Sequence, residues 1–183
     1  MPVFSKSFPY GKAPDISTER KRELLLFQKL AEIKFKSLDL LNLAFCHRSY
    51  ANESQSDVDN NERLEFLGDS VLGLVVADWL FVHLPGSDEG DFSRIKSFVV
   101  SEESLAEIAK HLRVDNFILI GKGEEFSGGR NKKALLADCM EAIFGAYFLD
   151  SGFKAATDLV QRLLVPVIRT VLDNKHRKDY KTL

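Results

Sequence analysis

Asn61-Glu62-Arg63-Leu64-Glu65-Phe66-Leu67-Gly68-Asp69-Ser70 sets three carboxylates on one narrow strip of an otherwise apolar segment. At about 100° per residue, Glu62, Glu65 and Asp69 fall within roughly 60° of one another on a helix. Around them stand Leu64, Phe66, Leu67, Val71, Leu72, Leu74, Val75, Val76, Trp79 and Leu80. A surface helix keeps its polar face polar along its length. Here the acidic face turns apolar at Leu72 and Val76, which puts the carboxylates at the end of a largely buried helix. Acids so crowded repel: two unit charges about 5 Å apart cost on the order of 3 kcal/mol at an effective dielectric of about 20. A divalent cation removes that cost.

Downstream, Ala134-Leu135-Leu136-Ala137-Asp138-Cys139-Met140-Glu141-Ala142-Ile143-Phe144-Gly145-Ala146-Tyr147 repeats the arrangement. Asp138 and Glu141 are i and i+3, so they share one face of a second apolar helix. Carboxylates converging from two helices make an oxygen-only site, which suits a hard cation such as Mg²⁺. No His or Cys stands at zinc-ligand spacing, which disfavours zinc. Water and open positions on such an ion are what phosphodiester hydrolysis requires. Each cluster taken singly has an ordinary reading, as acids serving a helix dipole or an N-cap. Two clusters on two apolar helices point past that reading to one shared site.

Asn61 through Ser70 resembles the signature of the ribonuclease III family at every comparable position. Leu43-Ala44-Phe45-Cys46-His47-Arg48-Ser49-Tyr50-Ala51-Asn52-Glu53 resembles the block that precedes it. Gly121-Lys122-Gly123-Glu124-Glu125-Phe126-Ser127-Gly128-Gly129-Arg130-Asn131 resembles the loop leading into the second acidic helix, and Tyr147-Phe148-Leu149-Asp150-Ser151-Gly152 closes that helix as in the family. The likeness runs in order from about Phe27 to the end, and is far more specific than a lone short pattern. It implies an all-α fold of the ribonuclease III endonuclease-domain type. It implies that Glu65, Asp69, Asp138 and Glu141 hold Mg²⁺, with Mn²⁺ able to substitute and no organic cofactor. Glu62 matches a second acidic position of the signature, with a supporting or water-mediated part. Glu89, in Asp88-Glu89-Gly90, matches a further acid that helps at the cleavage site, although a loop acid before glycine also reads as solvated surface. Asp69 and Glu141 carry most weight as catalytic groups.

The activity that the resemblance implies is hydrolysis of double-stranded RNA to products with 5′-phosphates and short 3′ overhangs, in ribosomal and other RNA processing. It also implies a homodimer in which each subunit contributes one acidic site to a shared RNA-binding valley. Phe66, Leu72, Val76 and their neighbours are expected to supply part of the dimer contact, although they equally suit an intramolecular core. One departure is notable. The usual bacterial layout continues into a double-stranded-RNA-binding domain, whereas Lys178-Asp179-Tyr180-Lys181-Thr182-Leu183 resembles the start of the connecting segment. The expectation is an endonuclease domain cut from a longer layout. Two other classes remain open: a non-catalytic RNA-binding or scaffold module of the same fold, and a metal-dependent phosphohydrolase acting on a small substrate. Occupancy of all four ligand positions counts against the first, and the basic clusters count against the second.

A chain of 183 residues, 45% hydrophobic and 28% charged, fits one soluble domain with a sizeable core. We divide it into an extended tail over 1–16, the domain over 17–175 and a linker start over 176–183. No apolar run is expected to span a bilayer, and Met1 to Ser17 lacks the apolar centre of a signal peptide. Two cysteines, Cys46 and Cys139, argue against a disulfide framework and for the reducing cytoplasm. Cys139 reads as a small core residue. The net charge of −2 is unlike that of a polyanion binder, but its distribution is uneven. Glu53 to Asp69 holds six acids against Arg63, while Arg169 to Leu183 holds five bases against Asp173 and Asp179. Lys175, Arg177 and Lys178 in that basic end, with Arg130 and Asn131 beside the second acidic helix, are the candidate RNA contacts. Lys122, Lys132 and Lys133 extend the Arg130 cluster, each also readable as ordinary solvated surface.

Helical signals dominate, and only Asn116 to Ile120 reads loosely as a strand. Ser17 or Thr18 caps a helix to about Ile33, Ser37 a second, and Asn60 the long signature helix, which must end near Leu84 ahead of Pro85-Gly86. Helices follow over 91–100, 101–111, 132–149 and 154–172, with a glycine-rich loop over 121–130 that lacks P-loop spacing. Its expected part is to deliver Arg130 and Asn131 beside the metal. Pro166 should kink or restart the last helix. His47 reads as a capping or packed histidine.

Overall fold

The computed structural model describes residues 10–179, with side chains to Asn174. Among these residues there are nine α-helices and no strand: α1 (Thr18–Leu30), α2 (Leu38–Ala44), α3 (Arg48–Glu53), α4 (Glu62–His83), α5 (Glu89–Val99), α6 (Glu102–His111), α7 (Lys122–Phe126), α8 (Lys133–Ser151) and α9 (Phe153–Asp179). The all-α expectation holds. Caps start several of them where the sequence places Ser or Asp. Ser17 Oγ accepts from Arg20 N, Ser37 Oγ from Leu40 N, Asp88 Oδ1 from Asp91 N and Ser101 Oγ from Ser104 N.

The centre is the pair α4 and α8, whose mutual contact is the most extensive in the fold. Glycine sets their separation. A Cβ on Gly68 would lie 1.7 Å from the Glu141 carbonyl oxygen, and one on Gly145 would lie 2.2 Å from that of Leu64. The helices therefore touch backbone to backbone, closer than any other residue pair would allow. α6, α9 and α2 pack around α8, and α5 and α9 around α4. Leu72, Val75, Val76, Leu80, Leu136, Ile143 and Phe144 fill the space between them.

Several expectations are corrected. Leu72 and Val76 are fully enclosed core residues with no surface left for a partner, whereas Phe66 is 78% exposed. The signature helix begins after Asn61, whose side chain turns inward to donate to the Ala44 carbonyl, while Asn60 Oδ1 still accepts from Glu62 N. By length and composition α4 could cross a bilayer, contrary to the sequence expectation, yet its packing against α8, α9 and α5 makes it a central domain helix. The glycine-rich loop contains the short helix α7 and a 3-10 turn over Gly129–Asn131. The strand near Ile120 shrinks to one parallel bridge, with Leu119 N donating to Phe45 O and His47 N to Leu119 O. Pro166 lies inside an uninterrupted α9, which runs to Asp179. Residues 1–9 of the expected tail and 180–183 of the expected linker lie outside the described residues. Tyr10 to Ser17 run without helix, fastened where Lys12 and Asp59 pair through their backbones and where Asn42 Nδ2 donates to Pro14 O.

The backbone contact makes a sharp expectation. Gly68→Ala should lower stability by at least about 2 kcal/mol, because overpacking a rigid helix contact forces backbone to move. Urea unfolding measures it, and an unchanged midpoint would show that the helices are not in van der Waals contact there.

Candidate metal centre

α4 contributes Glu62, Glu65 and Asp69 and α8 contributes Asp138 and Glu141; Asp69 stands next to Gly68, and Glu141 is the residue whose carbonyl Gly68 meets. Because the backbones meet there, side chains from both helices are forced into a common space at its edge. Glu65, Asp138 and Glu141 each place a ligand oxygen within 4.8 Å of the others. All three are half-buried. Burial is the main reason that their carboxyls rise above the ordinary range, and repulsion from nearby acids adds to it, for Asp138 from Glu102 and Glu62. Glu141 is pushed up to about 8, by burial first and then by Asp69, Glu65 and Asp138. An oxygen-only set whose carboxyls are all raised by burial and crowding is what a hard divalent cation relieves.

Asp69 is exposed and stands outside that tight group, yet its charge raises both Glu65 and Glu141. Glu62 is exposed and ion-paired with Arg48 at 3.5 Å. Glu89 opens α5 at the surface, accepts from Ser93 Oγ at 2.8 Å and does not belong to the cluster. Arg130 is not delivered to the centre. Its Nε donates to Glu125, and its Nη1 to the carbonyls of Asp115 and Ile118, so the guanidinium holds the α7 loop closed. Asn131 ends the following 3-10 turn, exposed. The backbone of Lys175, Arg177 and Lys178 belongs to α9, but their side chains lie outside the described part.

Beside the cluster lies a polar cavity of about 360 Å³, lined by His47, Arg48, Asn61, Glu62, Glu65 and Asp138. His47 caps α3: its Nδ1 accepts from Ser49 N and lies 2.7 Å from Ser49 Oγ, as a capping histidine should. Arg48 had no part in the sequence reading. The available signal was a base next to His47, ahead of a run of six acids. On the other flank, exposed Phe66 borders an apolar cavity of about 460 Å³ with Tyr10, Arg63, Leu64, Leu67 and Leu149.

The Ribonuclease-III-like family model matches residues 37–168. The chain belongs to the ribonuclease III family. It is 54% identical to Ribonuclease 3 of Treponema denticola over 92% of this chain and 68% of that one. It is 48% identical to Ribonuclease 3 of Borreliella burgdorferi over 92% and 69%. The fold is similar to that of the ribonuclease III nuclease domain of Campylobacter jejuni, with a TM-score of 0.71 and 41% identity over 76% of this chain and 92% of that one. A second structure of that domain concerns flexibility in a region involved in dimer formation. As a family member, this chain is an endoribonuclease of the ribonuclease III type, and the family implies a divalent metal that the carboxylate cluster suits.

The raised carboxyls fix the sign of a pH effect. Glu141 binds its proton up to about pH 8 when folded but only to about 4.5 when unfolded. Between those values the native state holds the extra proton, so stability of the metal-free protein falls as pH rises through that window. Thermal unfolding in chelator should show this fall, and Glu141→Gln should remove much of it. A divalent cation, which binds the ionised cluster, should reverse the slope. A flat profile in chelator would mean that the acids are not crowded.

Proposed function

We propose that this chain cuts double-stranded RNA with Mg²⁺ held by Glu65, Asp69, Asp138 and Glu141. The observation that carries the reading is the convergence of three half-buried carboxylates within 4.8 Å, on two helices that the family signature spans. Those residues would hold the ion, and a divalent cation held there would supply an activated water and offset for negative charge on the leaving oxygen. Glu65, Asp138 and Glu141 fix where it sits, and the Gly68–Gly145 contact fixes their spacing. Asp69, close enough to perturb Glu141, supplies the fourth carboxylate. Hydrolysis joins a water oxygen to phosphorus and breaks the bond to the 3′-oxygen, leaving a 5′-phosphate and a 3′-hydroxyl. Glu62 and Glu89 act from the rim, and the basic end of α9 with Lys175, Arg177 and Lys178 contributes to the grip on RNA. Two buried, free cysteines accord with work in the cytoplasm.

The working unit is a homodimer. Phe66, Leu74 and Phe81 are 78%, 58% and 73% exposed along one side of α4, an apolar stripe that a lone domain would have no reason to keep. A two-fold axis through that side sets two acidic centres on opposite strands of one duplex, which yields staggered ends. Short 3′ overhangs, and a part in ribosomal and other RNA processing, belong to the same reading.

Two measurements test this. Glu141→Gln should reduce cleavage of a long RNA duplex by orders of magnitude while the fold persists, and near-normal cutting in saturating Mg²⁺ would remove the metal-centre reading. Phe66→Asp should convert a species of twice the chain mass into a monomer in sedimentation. If the parent chain is already a monomer and still makes paired cuts, the two-centre geometry is wrong.

A further inference from the structure

The polar cavity beside the carboxylates has a lining of mixed character. Glu62, Glu65 and Asp138 share it with His47 and Arg48. A phosphodiester approaching five carboxylates, even with one divalent cation among them, meets a surplus of negative charge. Something beside it must supply donors.

His47 is prepared for that. Gly121 N donates to Ser49 Oγ at 2.9 Å, so the Ser49 hydroxyl turns its proton toward His47 Nδ1 at 2.7 Å. Ser49 N also donates to Nδ1. With Nδ1 accepting twice, the ring proton resides on Nε2, which is left as a donor. Burial lowers the His47 pKa from its ordinary value. The loop holds this in place, because a Cβ on Gly121 would lie 2.6 Å from the Ser49 carbonyl oxygen. Arg48 adds the charge. Its side chain is 66% exposed, and its partner Glu62 is 3.5 Å away, beyond ordinary hydrogen-bond length. A guanidinium so loosely held exchanges readily for a phosphate, whose oxygens match its planar fork.

We propose that His47 and Arg48 form the seat for a phosphate of the strand to be cut, in the cavity beside the carboxylates, with Arg48 gripping a non-bridging oxygen. The inference rests on the nuclease reading given above. Glu62 then acts as a placeholder that keeps the guanidinium extended until RNA arrives.

Arg48→Gln tests it in three readouts. Binding of a long RNA duplex, measured in the non-cutting Glu141→Gln background, should show a salt dependence shallower by about one counterion. Single-turnover cleavage at saturating RNA should fall roughly 10- to 100-fold, below the loss seen for a fully preorganised donor. Mg²⁺ binding without RNA should be unchanged or tighter, since a neighbouring cation has gone. Arg48→Lys, which keeps the charge without the fork, should restore the salt dependence but only part of the rate. A merely structural arginine would leave the salt dependence intact or weaken Mg²⁺ binding as well, and either result overturns the proposal. If the parent chain cuts RNA duplexes and Arg48→Gln cuts them equally well, this inference alone fails. If the parent cuts none, the nuclease reading fails and takes the inference with it.

Discussion

Contact between two backbones, at Gly68 on α4 and Gly145 on α8, is the constraint on which the rest of the structure depends. Helices usually meet through side chains, which keeps their axes about 8–10 Å apart. Removing both Cβ atoms at the crossing lets the main chains close further. Carboxylates at and beside the crossing then share a space too small for their charges. Hydrophobic burial of Leu72, Val76, Leu136, Ile143 and Phe144 clamps the pair from the sides, so the helices cannot relax apart to relieve the repulsion. The core thus holds the acids together against their own electrostatics, and the metal centre is a consequence of packing.

That arrangement opposes stability to function in a specific way. Glu141, pushed up to about 8, sits where an apolar residue would serve folding better. Its discomfort is the affinity for a cation, because the same burial and repulsion that favour protonation are relieved by a bound divalent charge. The two thiols illustrate the contrast. Burial pushes Cys46 up to about 12 and raises Cys139 further, which leaves both as inert core groups although Cys139 lies between two cluster residues.

Much of this was legible in the residues, because helix periodicity converts spacing directly into direction. Glu62, Glu65 and Asp69, like Asp138 and Glu141, could be placed on a face from number alone, and the Ser17 and Ser37 caps fell where expected. What could not be read was anything decided by a second element. Leu72 and Phe66 look equally apolar in sequence, but α8 and α9 enclose one and leave the other bare. Arg130 looked like a cation aimed at the centre, yet two backbone carbonyls twelve and fifteen residues earlier capture it. Pro166 should have kinked or restarted the last helix, yet α9, packed against α4 and α8, runs on through it. Gly145 carried no local signal, since its partner is a carbonyl some eighty residues away.

The loop over 121–131 has a bearing on how such a chain can change length in evolution. Glu53 accepts from Lys122 N at 2.7 Å and Gly123 N at 3.1 Å, Ser49 accepts from Gly121 N, and Arg130 and Lys132 close the far side on Glu125 and Glu124. Every turn of that loop is therefore counted, and one added residue would unseat a partner at each end. At the α4–α5 junction, by contrast, a Cβ on Gly86 would meet nothing within 4 Å. Lineages of this fold are free to vary in length there, while the loop before α8 must keep its residue count or lose its grip on α3.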